Sequence, residues 1–148
     1  MYAVQTMLKR DGSFVPINST EPLVDRRYIE GAVRWTIDDQ PLLTDNEWDL
    51  VDQLWAYIVD GAIEALRNGR SETYFPDQPL RLAFEVVRHD KVRVTVGERK
   101  AVVDQRDFVA SLAEGARQFF SDMRALVPEG LETWTTYLQR VENNLVQK

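Results

Sequence analysis

Cysteine is absent from the 148 residues. Without a thiol there is no disulfide, no thiolate metal site and no cysteine nucleophile. Histidine is nearly absent too, since His89 stands alone. A metal site would have to be built from carboxylates, which favour hard cations over zinc or copper. The chain carries no phosphate-binding glycine loop, no nucleophile-elbow pattern and no zinc-protease helix signature. Long hydrophobic runs are missing as well. The longest, Leu54 to Val59, is far short of a membrane span. No apolar run of signal-peptide length follows Met1. These absences lead us to expect a cytoplasmic protein with no membrane association, no cofactor and no bound metal.

One further absence is local. Residues 35–66 contain eight acids and no base. The segments on either side are close to balanced, so the net charge of −6 arises from this single stretch. Such a surface repels nucleic acid. It suits a basic protein partner, or simply solvation.

What is present reads as one α+β domain spanning residues 1–148. A hydrophobic fraction of 44% and a charged fraction of 28% are those of an ordinary globular chain, and this length buries about 68–70% of the unfolded surface. Tyr2 to Leu8 and Ser13 to Ile17 are strand candidates around the Asp11-Gly12 turn signal. Ala32 to Ile37 is a third, ended by Asp38-Asp39-Gln40-Pro41. Thr44-Asp45-Asn46-Glu47 has the form of a capping box, which predicts a helix over 45–68 closed by Gly69. Its apolar stripe is Val51, Leu54, Trp55, Ile58, Ala62 and Leu66.

Glu72 to Pro79 reads as a loop stiffened by two prolines, with Phe75 as a core plug and Tyr74 as a candidate at a binding edge. Alternation over 80–88, 91–96 and 99–103 predicts a three-stranded antiparallel meander with one apolar face. Asp104 caps a second helix over 105–126. A third helix follows Pro128 over 130–146, with the stripe Leu131, Trp134, Leu138, Val141 and Leu145. The expected architecture is N-terminal strands, an amphipathic helix, the meander, and two C-terminal helices packed on one sheet face.

No motif identifies a catalytic residue. His89 falls in the tight turn beside Asp90, where an exposed surface role is the default. Asp45, Glu47 and Asp49 match the start of a calcium loop, but Leu50 and Ala56 occupy positions that need glycine and glutamate. Asp38 and Asp39 suit a turn better than acid–base work. On a helical wheel, Asp45, Asp49, Asp52 and Asp60 fall within about 80° of one another, opposite the apolar stripe. Like charges four residues apart repel, so a face with no neutralising lysine or arginine fits a docking role. The partner-binding candidates are therefore Asp45, Asp49, Asp52, Asp60 and Tyr74.

The segment Glu72-Thr73-Tyr74-Phe75-Pro76-Asp77-Gln78-Pro79 follows a tryptophan-bearing helix and precedes the meander and Phe119-Phe120. This arrangement, over about residues 45–127, resembles a group of small uncharacterised bacterial α+β proteins, chiefly actinobacterial. Some proteins of this size and layout resemble immunity proteins of toxin systems. The resemblance implies an inhibitor-like binding role and carries no functional motif with it. The leading expectation is a non-enzymatic binding protein, of immunity type, docking a basic partner through the acidic helix face. Two other readings stay open: a self-associating structural or regulatory protein, for which a homodimer is the simplest form, and a carboxylate-based enzyme.

Overall fold

The computed structural model describes residues 1–18, 20–23 and 25–146. The chain runs β1 (Tyr2–Arg10), β2 (Ser13–Pro16), β3 (Glu30–Ile37), β4 (Gln40–Leu43), β5 (Asp49–Leu50), α1 (Val51–Asn68), β6 (Arg70–Tyr74), β7 (Arg81–Arg88), β8 (Lys91–Val96), β9 (Arg99–Asp104), α2 (Gln105–Leu126) and α3 (Leu131–Asn144). The α+β class, the meander and the C-terminal helices are those expected. The strands divide into two antiparallel sheets. One has the order β2-β1-β3-β4, with β5 also paired to β3, and the other has the order β6-β7-β8-β9.

Turn chemistry sets the first sheet. Asp11 and Gly12 both take positive φ between β1 and β2, and Asp38 and Asp39 do so between β3 and β4. Aspartate tolerates this left-handed conformation because its short polar side chain bonds locally. Asp38-Asp39 is thus a hairpin turn, and Pro41 continues into β4 instead of ending the sheet. Pairing of Val4 with Trp35 and of Thr6 with Val33 puts these residues on one face. That face meets the helices. Trp35 Nε1 donates to Ser111 Oγ of α2 at 2.8 Å, and its ring lies 5.5 Å from that of Phe108. The same ring meets Phe84 of β7 edge-on at 6.5 Å, so the inner faces of both sheets share one core.

The second sheet contains one strand more than expected, because Arg70–Tyr74 pairs with β7 throughout. The loop begins only at Phe75, which is buried as foreseen. Gly69 at φ 97° ends α1 and donates to Ala65 O at 2.7 Å. Only a residue free to enter the left-handed region can turn directly from the helix into β6. Asp104 caps α2 by accepting from Arg106 N at 3.1 Å, and Phe108, Leu112, Ala116, Phe119, Phe120 and Met123 are buried along its stripe. In α3, Trp134 and Val141 are buried, whereas Leu131 is exposed.

The start of α1 corrects the sequence reading. The capping box forms, with Thr44 N–H donating to Glu47 Oε1 at 2.9 Å and Asn46 N–H to Thr44 Oγ1 at 3.1 Å. It closes only one 3-10 turn, Asp45–Glu47. Trp48 is extended, and Asp49–Leu50 then pairs with Glu30–Gly31. Val51 N–H, an orphan donor of the first helical turn, is satisfied by Ile29 O at 2.8 Å. Long-range pairing has overridden the local signal.

Candidate functional site

The late helix start disperses the acidic face. Asp45 lies on the 3-10 turn and Asp49 on β5, so neither belongs to α1. Asp52 and Asp60 alone remain helical. Three of the four acids are also engaged within the fold. Asp45 accepts from Arg34 Nε at 2.8 Å and from Arg34 Nη2 at 2.7 Å. This two-pronged hydrogen bond holds the Asp45 carboxyl below the usual aspartate range and raises Arg34. Asp60 accepts from Tyr137 Oη and Arg140 Nη2, both at 2.8 Å. Asp52 is half-buried, and loss of solvent pushes its carboxyl up.

Asp49 is buried. Its carboxylate accepts from Leu50 N at 2.6 Å, from Gln78 Nε2 at 3.1 Å and from Asp77 N at 3.3 Å. Gln78 Nε2 also donates to Trp48 O at 2.9 Å. A buried carboxylate is tolerable only when its lone pairs are filled in this way. Asp49 therefore ties the proline-stiffened loop to the β5–α1 junction. Tyr74 is 56% exposed, and its hydroxyl makes no hydrogen bond among the described residues.

These connections build a surface that sequence reasoning did not assemble. Between β5 and the loop lies a groove of about 190 Å³ lined by Glu30, Trp48, Asp49, Leu50, Asp77 and Gln78. A second groove of about 200 Å³ adjoins it through Glu30 and is lined in part by Lys9, Arg10, Asp11, Asp25 and Tyr28. Trp48 is 37% exposed and Tyr28 62%. The Lys9 ammonium sits 3.7 Å from the centre of the Trp48 ring and steadies it. Glu30 and Asp77 are exposed, and neither carboxylate has an ion pair among the described residues. Glu30 and Asp77 lie on opposite sides of α1 in sequence, so no spacing could have joined them.

A larger concavity lies elsewhere. An open groove of about 1030 Å³ runs along α2, with Tyr2, His89, Asp104, Arg106 and Arg117 among its lining. His89 is exposed at its rim and makes no side-chain hydrogen bond among the described residues. Among the described residues no three His, Asp or Glu side chains converge as metal ligands would. None of the helices is long and apolar enough to cross a membrane.

The site and fold are thus those of an α+β protein with an aromatic surface, bordered by carboxylates and by Lys9 and Arg10. No protein-family model matches the chain, and neither a curated protein nor a solved structure matches it.

Proposed function

We propose that this chain is a non-enzymatic binding protein of the immunity type, one that docks a basic surface of a partner protein. The observation that carries the reading is the joined pair of grooves around Glu30. Two aromatic side chains, Trp48 and Tyr28, stand there among the carboxylates Glu30 and Asp77, which have no ion partner among the described residues. Large, partly rigid aromatics supply most of the energy at protein interfaces. Unpaired acids around them steer and orient a basic partner. On this reading the docking surface is the groove around Glu30 and not a face of α1. Asp45, Asp49 and Asp60 are already committed to internal partners, and a protein ligand would have to displace them.

The test begins with capture of a partner from the source cell at low salt. Calorimetry follows with the wild type, Trp48→Ala and the double variant Glu30→Gln/Asp77→Asn. Binding should weaken as salt rises, because exposed charges are screened over about 8–10 Å at physiological ionic strength. Both variants should lose affinity, and the carboxylate double variant should do so while keeping its melting temperature. Affinity unchanged in both would reject the surface. Turnover of a small substrate by the purified chain would reject the non-enzymatic reading.

A further inference from the structure

The second sheet ends in an edge that the fold leaves open. Among the described residues β6 has one strand partner, β7, and their register runs without a shift from Arg70↔Glu85 to Tyr74↔Arg81. Two bonds frame the ladder. Val86 N–H donates to Gly69 O at 2.8 Å, and Phe75 N–H donates to Leu80 O at 2.9 Å. Because antiparallel bonding alternates, Ser71 and Thr73 direct their backbone groups to β7. Arg70, Glu72 and Tyr74 direct theirs outward, and all three residues are exposed.

The other outer strands carry some protection. β2 ends in Pro16 and β4 contains Pro41. The Val102 carbonyl on β9 accepts from Gln40 Nε2 at 3.4 Å. β6 has neither a proline nor a bulge. What guards it, among the described residues, is its charges.

Those charges are self-complementary. Two copies of β6 placed antiparallel about a two-fold axis at Ser71 set Arg70 of each opposite Glu72 of the other. Both residues use outward backbone groups, so both crossings close main-chain hydrogen bonds. The neighbouring register would set Glu72 against Glu72, and like charges directly opposite are disfavoured. In the favoured register Tyr74 lies diagonal to Arg70 of the second copy, within reach of an aromatic–guanidinium contact. Glu72 is already the centre of a charge cluster, with Arg81 at 3.0 Å and Arg70 at 3.6 Å.

We infer that the chain forms a two-fold homodimer through β6, joining two four-stranded sheets into a continuous one. The inference is independent of the groove around Glu30 and goes beyond the binding role assigned to it.

Sedimentation velocity of the full chain, from micromolar to near-millimolar concentration, tests it. The wild type should show a concentration-dependent monomer–dimer equilibrium. Arg70→Glu places acid against acid at both crossings and should weaken the dimer by about tenfold or more. Exchanging the two residues (Arg70→Glu/Glu72→Arg) should restore it. Glu72→Pro removes an outward N–H that β7 does not use, a place where a strand tolerates proline. It should abolish the dimer while circular dichroism stays native, and it decides the matter if the exchanged variant does not fold. A wild type that stays monomeric throughout would overturn the inference. So would a dimer indifferent to both Arg70→Glu and Glu72→Pro.

Discussion

Gly115 on α2 offers the sharpest test of how the helices meet the first sheet. A Cβ added there would stand 2.6 Å from Val4 Cγ2 and 2.7 Å from Trp55 Cη2. Carbon atoms pack at about 3.5–4.0 Å, so Gly115→Ala creates an overlap of roughly 1 Å on two sides. Neither neighbour can move freely. Trp55 is fully buried, its Nε1 donates to Thr6 Oγ1 at 2.9 Å, and its ring stacks on Phe119 at 6.3 Å. Val4 is fixed by its pairing with Trp35. Overpacking of this kind costs about 1–3 kcal/mol, and the rigidity of both neighbours favours the upper part of that range. Alanine in place of a helical glycine returns about 1 kcal/mol. The net expectation is a loss of about 1–2 kcal/mol, with the midpoint of thermal unfolding lowered by roughly 2–4 °C per kcal/mol for a chain of this size. Urea unfolding followed by tryptophan fluorescence and circular dichroism measures it. In a Trp55→Phe background the indole atoms nearest Gly115 are gone. The added penalty of Gly115→Ala should then shrink by about 1 kcal/mol, the coupling expected of touching residues. Adding Val4→Ala should leave only the helix-propensity gain. If Gly115→Ala stabilises the otherwise wild-type protein, the close approach of α2 to β1 and Trp55 is wrong.

Two predictions concern pH. Burial, and then the hydrogen bond to Asp60, push the Tyr137 hydroxyl up from 10.0 to about 12. A raised folded-state pKa gives stability that is present below pH 10 and lost as pH rises towards 12. The stability gap between the wild type and Tyr137→Phe should therefore be constant from neutrality to pH 10 and close above it, and a gap that widens there would contradict the assignment. For Asp52, burial raises the carboxyl above 3.8, so its ionisation weakens the fold. Asp52→Asn should gain on the wild type as pH rises from below 3.8 to neutrality, and equal pH profiles in chemical denaturation would refute this.

The chain itself determined those features whose causes are local. The stripes of α1 and α2, the left-handed stop at Gly69, the cap at Asp104 and the alternation of β7 and β8 all depend on residues within a few positions of one another. They read directly because 3.6-residue and two-residue periods, caps and turns are short-range physics. The tertiary structure decided whatever required a distant partner. Asp49–Leu50 became a strand because Glu30–Gly31 was there to receive it, and that moved the helix start to Val51. Arg70–Tyr74 became a strand because β7 lay alongside, although its own sequence offered no alternation of apolar residues. The acidic window shows the same limit in its electrostatics. Residues 35–66 contain no base, but folding brings Arg34 to Asp45 at 2.7 Å, Arg99 to Glu47 at 2.9 Å and Arg140 to Asp60 at 2.8 Å. Charge counted along a chain records neighbours in sequence, whereas Coulomb interaction acts between neighbours in space.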